Sequence, residues 1–476
     1  MSRDLLGSAA ARVRSGVDTL RGDGRGRILT VVAVGWLLVL GTRIVLPALL
    51  PQVKAAFDID NATAGLLVSV LWGSYAVTQF PAGTMADRIG ERATLTAAVL
   101  VTAAGAAALT LAPSFPVFVL GGVLFGLGSG LYAPPRVTVL SRIYPDRDGT
   151  ALGVTFAVGN LGAAALPLVA GALAVWVHWR AGFGFVVVPL ALVGVGLWAY
   201  VPPRPAEQAR AADQFTRQTA SRLVRGVTDR DVLLAWLAMT TILFTYQGIT
   251  AFLPTYLIEV KNLGQGTASA LYGLFYASGA ASQWFAGNAA DRYGERTVLS
   301  ALAGFGVLTL VALPFVGGTA ALAGLLALLG TRLGIGPVGN GYVAALLPDE
   351  IQGAGYGLFR TFYLAVGAGG SLFVGVLAER GLFDEAFLLL AGVTAVASVL
   401  YRFLPADPKG RSPGSISDDR PDDAAPGERS PDSTPDADVD RGETPEKDPG
   451  SSPNAGLSSA AEPGSDTDGE SDRTTD

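Results

Sequence analysis

Four arginines sit inside long apolar stretches of this 476-residue chain: Arg43, Arg136, Arg332 and Arg360. A guanidinium is always charged and presents its N–H donors in a planar fork, a shape that carboxylate and phosphate match. At the centre of a lipid-embedded helix it costs about 2.5–3.5 kcal/mol on insertion scales. At 1.5 Å per residue, Arg332 lies about 18 Å into its stretch, and the other three lie about 10 Å from one end. Arg43, Arg136 and Arg360 can lessen the cost by snorkelling, whereas Arg332 near the midplane cannot easily do so. Residues 1–404 contain 21 acids, all in expected loops or at helix ends. No intramembrane carboxylate is therefore available to the four cations. The missing counter-charge is read as a bound substrate, an organic or phosphorylated anion. Tyr246, Gln247, Asn160 and Asn340 are the polar residues expected to complete the site. Trp72, Tyr75, Tyr132, Tyr276 and Tyr363 are further candidates, each equally well explained as helix packing.

The same distribution excludes other chemistry. Proton relays in membranes usually rely on buried Asp, Glu or His. The acids avoid the spans, and the single His178 lies beside Trp179 and Arg180 at the end of the fifth span. Carboxylate-based proton coupling and Asp-bound Mg²⁺ enzymology are thus disfavoured. With no Cys there is no disulfide and no thiolate metal or redox site. Neither a cofactor nor a metal is expected.

The elements that position these residues follow from composition. Half the residues are hydrophobic and only 16% are charged, well below the roughly 25% of soluble domains. The net charge of -6 divides into +6 over residues 1–404 and -12 over 405–476, so a single water-soluble globule is excluded. Twelve apolar stretches are long enough for a hydrocarbon layer: 28–50, 63–83, 93–111, 117–143, 150–174, 181–201, 232–257, 267–287, 297–316, 320–347, 353–377 and 386–404. Lipid offers no partners to backbone polar groups and β-barrel alternation is absent, so these are expected as helices of an all-α integral membrane protein. Residues 1–27 and 202–231 carry six Arg each, while the opposite loops show little beyond Lys54, Arg180, Lys261 and Arg380. Positive-inside bias places both termini in the cytoplasm of a multi-pass plasma-membrane protein. The basic arm 1–27 is either an amphipathic helix on the inner leaflet or a solvated segment. The one sequon, Asn61-Ala62-Thr63, falls in the first external loop. A helix start before Thr63 explains those residues without a glycan.

The chain repeats itself at an offset of about 204 residues. Residues 63–95 align with 267–299 without gaps, and 15 of 33 positions are identical. Pro134 and Pro145-Asp146 likewise match Pro337 and Pro348-Asp349. Such repeats mark transporters whose substrate lies between two similar bundles. The organisation expected is an arm (1–27), a six-helix bundle (28–201), a linker (202–231), a second bundle (232–404) and an acidic tail (405–476).

Within the repeat, Gly83 and Gly90 suit a tight turn and close helix approach. Asp87 can hold a helix N-terminus and a neighbouring Arg. G-T-M-A-D-R-I-G-E-R-A-T-L at 83–95 resembles the loop-2/3 signature of the major facilitator superfamily, and G-N-A-A-D-R-Y-G-E-R-T-V-L at 287–299 resembles its loop-8/9 copy. The resemblance covers residues 28–404. It implies twelve transmembrane helices in two six-helix bundles (the MFS fold), and a secondary transporter working by alternating access rather than an enzyme. It also implies a latch between the halves formed by Gly83, Asp87, Arg88, Gly90 and Arg92 with Gly287, Asp291, Arg292, Gly294 and Arg296. Members that exchange organophosphates or dicarboxylates place Arg in their pores, in line with an anionic small molecule. Two positions depart from drug/proton antiporters: Gly122 replaces the helix-4 Arg, and Leu166-Pro167-Leu168-Val169-Ala170-Gly171 lacks the leading Gly of the helix-5 signature. The alternatives are a multidrug or lipophile efflux antiporter and a non-transporting membrane sensor. The partners expected are the substrate and the lipid bilayer, with no nucleic acid and a monomeric protein. Gly334-x-Gly336-x-x-Gly339 follows no strand and reads as helix packing.

Residues 405–476 are rich in Asp, Ser, Pro and Gly and cannot bury enough apolar surface to order themselves. Only four Lys stand against 30 Arg. An acidic, Lys-poor segment suits a high-salt cytoplasm, which points to a halophile.

Overall fold

Helices are the regular elements among the described residues of the computed structural model, which are 25–145, 147–203, 228–347 and 352–406. The expected arm, most of the linker and nearly all of the tail lie outside them. The first half contains α1 (Arg25–Ala48), α2 (Leu50–Phe57), α3 (Asn61–Val77), α4 (Gln79–Ile89), α5 (Glu91–Leu111), α6 (Phe115–Ile143), α7 (Asp148–Trp176), α8 (Ala181–Gly184) and α9 (Val187–Tyr200). The second contains α10 (Arg230–Glu259), α11 (Gln265–Tyr293), α12 (Glu295–Ala312), α13 (Thr319–Gly330), α14 (Ile335–Leu346), α15 (Gln352–Glu379) and α16 (Phe383–Arg402). Ten of the twelve expected spans form helices both long and apolar enough to cross a bilayer.

The other two expected spans are also helical. Span 2 breaks at Thr78 between α3 and α4. Pro81 lacks the N–H that would reach the Val77 carbonyl, and the Thr78 hydroxyl donates back to the Tyr75 carbonyl at 3.1 Å. The repeat has Phe285 in place of Pro81, and α11 runs unbroken through 29 residues. It is less apolar because Ser, Gly and Tyr face other helices rather than lipid. Three further departures concern the ends and middles of spans. A short helix, α2, occupies the expected first loop, span 6 begins with the separate turn α8, and span 10 is interrupted by a 3₁₀ turn at Thr331–Gly334.

The repeat is visible in the backbone. Gly90 (φ 86°) and Gly294 (φ 83°) make the same left-handed break before α5 and α12, a conformation that essentially only Gly adopts. Asp58 and Asn262, also 204 residues apart, both end helices with positive φ. Asp60 caps α3: its Oδ1 accepts the Thr63 N–H at 2.6 Å. Asn61 thus begins a helix, as the glycan-free reading of the sequon requires.

In the first half α1 packs on α7, α5 on α6 and α9, and α3 on α6. In the second, α10 packs on α15 and α16, α12 on α16, and α11 on α13. The halves meet along two seams, α3 with α15 and α7 with α11. One face carries both motif turns and the described chain ends. There the Tyr144 hydroxyl donates to Arg25 O at 2.7 Å, and the Tyr342 hydroxyl donates to Pro405 O at 2.7 Å. We call this the proximal face and the opposite one, bearing α2, the distal face.

Candidate functional site

Arg43 on α1 is 4% exposed, so it does not snorkel. Its guanidinium carbon lies 4.4 Å from the Trp72 ring and 4.2 Å from the Tyr75 ring. Arg136 on α6 is 3% exposed and stacks on Trp36 at 4.2 Å and Phe156 at 4.7 Å. A desolvated cation–π contact is worth about 2 kcal/mol, so two faces per guanidinium offset most of the insertion cost. Stacking occupies the faces and leaves the N–H edges. Nε and Nη1 of both Arg43 and Arg136 are buried without a hydrogen-bond partner.

The arginines of the second half are held differently. Arg332 lies in the 3₁₀ turn that interrupts span 10, the kind of mid-helix distortion that marks functional positions. It is 3% exposed; Nη2 donates to Thr245 Oγ1 at 2.5 Å, and Nη1 has no partner. Arg360 on α15, half-buried, donates from Nε to Gln79 Oε1 at 3.1 Å, across the seam with the first half.

Two tyrosines link the four cations. Tyr75 lies in the field of Arg43, Arg360 and Arg136. Tyr246 lies in the field of Arg43 and Arg332, and its hydroxyl is 3.1 Å from that of Tyr276. The four arginines, drawn from α1, α6, α15 and the span-10 turn, therefore share one interior cluster between the halves. Among the described residues the acids lie at helix ends or in turns, and none forms an ion pair with the four.

The other expected site residues divide. Gln247 is fully buried, and neither its Nε2 nor its Oε1 has a partner. Asn340 donates from Nδ2 to Gly336 O at 2.8 Å and leaves Oδ1 unmet; it also touches Tyr363, which in turn feels Arg360. Asn160 is committed elsewhere, donating to Gln283 Oε1 at 2.8 Å across the α7–α11 seam. Tyr132 is likewise committed: its hydroxyl donates to Val32 O at 2.9 Å, tying α6 to α1. Trp36, Phe156, Thr245 and Gln79 went unrecognised in the sequence. Only Gln79 carried a signal, as the repeat partner of Gln283. Both glutamines accept hydrogen bonds from the opposite half.

The expected latch residues lie on the proximal face. Gly83 and Gly287 lie within α4 and α11, not at the turns, and a Cβ on either would meet nothing within 4 Å. Close approach does not explain them here. Arg92 stacks on Trp198 at 4.0 Å, and Arg296 donates from Nη1 to Leu404 O at 3.2 Å. Each thus binds the end of its own half instead of bridging to the other. Arg88, Asp291 and Arg292 are exposed and Asp87 half-buried at the same proximal turns. Glu91, beside them, is buried and pairs with Arg142 Nη2 at 3.3 Å. Gly334 and Gly339 do fit the packing reading, since a Cβ would strike Ser282 and Ala286 at the first and Met239 at the second.

Among the described residues, several bridges between halves lie on the distal face, in residues the motif did not indicate. Lys54 on α2 pairs with Glu259 at the end of α10 at 2.8 Å, and within its own half donates to Asn61 Oδ1 at 2.6 Å. The Asn61 N–H donates to Glu379 Oε2 at 2.8 Å, and Gln265 Nε2 donates to Ala48 O at 2.9 Å. Below them, Ser69 Oγ donates to Ala368 O at 2.8 Å. The distal end is closed.

The sequence model of the Major Facilitator Superfamily matches residues 31–337. The hexuronate transporter of Bacillus subtilis is 26% identical over 379 residues, covering 73% of this chain and 87% of that protein. The plastidic glucose transporter 4 of Arabidopsis thaliana is 27% identical over 404 residues, covering 74% of this chain and 72% of that protein. Among solved structures, a nucleoside transporter shares the fold with a TM-score of 0.68 at 14% identity, covering 79% of this chain and 99% of the other.

Proposed function

The chain belongs to the Major Facilitator Superfamily, a family of membrane transporters and not of enzymes, and we propose that its cargo is a small organic or phosphorylated anion carried by alternating access. The observation that carries this reading is the interior cluster of Arg43, Arg136, Arg332 and Arg360: the first three have unmet buried N–H groups, and no membrane-embedded carboxylate among the described residues pairs with any of the four. Buried donors without partners are costly, and an anion supplies both the acceptors and the opposite charge. The hexuronate carried by one relative is such an anion; the glucose carried by another is not, so the arginines, not the likeness, favour an acid.

We assign the distal lock of Lys54, Glu259, Asn61 and Glu379 to the external gate of a plasma-membrane protein whose termini are cytoplasmic. Gln79 and Gln283 tie the halves deeper in the seams. The motif residues Asp87, Arg88, Asp291 and Arg292 remain the proposed cytoplasmic latch. Counterflow in proteoliposomes tests the substrate reading: anion exchange that needs no pH gradient is expected. Proton-driven export of dyes, or no flux of any compound, would refute it.

A further inference from the structure

Gln247 is the unusual residue of the cluster. It is 1% exposed, and both polar atoms of its amide lack partners. At the repeat offset of 203–204, Tyr246 and Gln247 fall opposite Arg43: Ala48, Leu50 and Pro51 match Ala251, Leu253 and Pro254 at 203, and the positive-φ pair Asp58 and Asn262 lies at 204. Positions related by the repeat face the same interior from opposite halves. Arg43 supplies a cation there and Gln247 a neutral amide. Just before it on α10, Thr245 accepts from Arg332 and Tyr246 reaches Tyr276, so this turn of α10 borders the arginine cluster.

The unmet atoms specify more than charge. The N–H groups of Arg43, Arg136 and Arg332, and Nε1 of Trp36, are donors that call for acceptors. Gln247 Oε1 and Asn340 Oδ1 are acceptors. The Asn340 amide cannot be flipped to avoid this, because Nδ2 is fixed by the Gly336 carbonyl. A bare carboxylate or phosphate has no hydrogen to give these oxygens. A hydroxyl group does, and it accepts as well.

We infer that the transported anion is polyhydroxylated, with its acid group on the arginines and its hydroxyls on Gln247 and Asn340. This rests on the anion reading above and narrows it. A simple acyl anion leaves both amide oxygens buried and unpaired, and sites built to hydrogen-bond a hydroxyl reject analogues lacking it. Trp72, Trp36 and Phe156 then act as positioning residues, holding the guanidinium planes so that their edges meet the acid.

The test uses full-length protein purified in detergent and read by ligand-induced thermal stabilisation at constant ionic strength. The probes are hydroxylated anions (gluconate, galacturonate, glucose 6-phosphate), anions without hydroxyls (hexanoate, butyl phosphate) and neutral polyols (sorbitol, glucose). The expected result is stabilisation by at least one hydroxylated anion, with at least about tenfold tighter binding than its deoxygenated analogue and little effect of the polyols. Gln247→Leu should reduce that discrimination to about twofold while the protein remains monodisperse. Asn340→Ala gives a second reading should Gln247→Leu fail to fold. Equal stabilisation by hexanoate or butyl phosphate would overturn the hydroxyl inference and leave the anion reading standing. Polyols binding as tightly as the hydroxylated anions would overturn the anion reading itself. No stabilisation by any hydroxylated anion would overturn the inference.

Discussion

Removing Lys54 should open the distal face, and the size of the effect follows from its contacts. Its ammonium meets Glu259 at 2.8 Å, but the two side chains are 14% and 37% exposed, so the ion pair is worth about 0.5–1 kcal/mol. The second contact, to Asn61 Oδ1 at 2.6 Å, lies within the first half and orients the ammonium without bridging to the second. Lys54→Ala and Glu259→Ala should therefore each shift the closed-to-open equilibrium by about 0.5–1 kcal/mol, or roughly two- to fivefold. The chain has no Cys, so labels at Ala56→Cys and Gly266→Cys, on opposite halves of the distal face, report alone. Spin-label distance distributions should show a longer population that grows over wild type by a similar amount in Lys54→Ala and Glu259→Ala. At about 1 M salt both effects should fade. The reasoning is refuted if Lys54→Ala leaves the distances unchanged, or if its effect is undiminished at high salt.

Other outcomes follow from the cluster and the turns. Arg332→Gln should abolish anion counterflow while the purified protein stays folded by size-exclusion chromatography; undiminished flux would remove Arg332 from the site. Trp72→Ala removes one of the two ring faces under Arg43 and should weaken substrate binding about tenfold, measured by the concentration dependence of uptake. Gly90→Ala and Gly294→Ala each force a side chain into a positive-φ backbone and should destabilise by about 1–3 kcal/mol, seen as a lower thermal midpoint. Hydrogen bonds from the Thr63 side chain and backbone hold the Asp60 carboxyl below its ordinary range. Its cap therefore contributes stability above the unfolded pKa of about 4 and loses it as pH falls through the depressed value. Asp60→Asn should flatten the acid limb of the stability–pH curve, recorded by thermal unfolding of both proteins across that range.

The fold was legible because its causes are local. Lipid demands helices of a set length, and a repeat at a fixed offset requires the two halves to be alike, so the spans and the Gly90 and Gly294 turns could be read from composition and spacing alone. Even the break at Thr78 had its cause in the chain, in Pro81, although apolar run length concealed it. The arginines, too, were identifiable one by one, because an ionised group in an acid-free apolar run has few explanations.

What surrounds those arginines was not readable, because it depends on residues on other helices, tens to hundreds of positions away. Nothing near Arg360 indicates that Gln79 accepts its Nε–H, and nothing near Arg136 indicates that Trp36 lies beneath it. Asn160 and Asn340 looked equivalent in the sequence, yet the α7–α11 seam commits the amide of Asn160 to Gln283 while Asn340 keeps a free oxygen. The motif residues Arg92 and Arg296 contact the ends of their own halves, and the distal bridge joins Lys54 to Glu259 across 205 positions. Helix formation and membrane insertion are decided by nearest neighbours and by the solvent. The pairing of side chains across two packed bundles is decided only when the bundles meet.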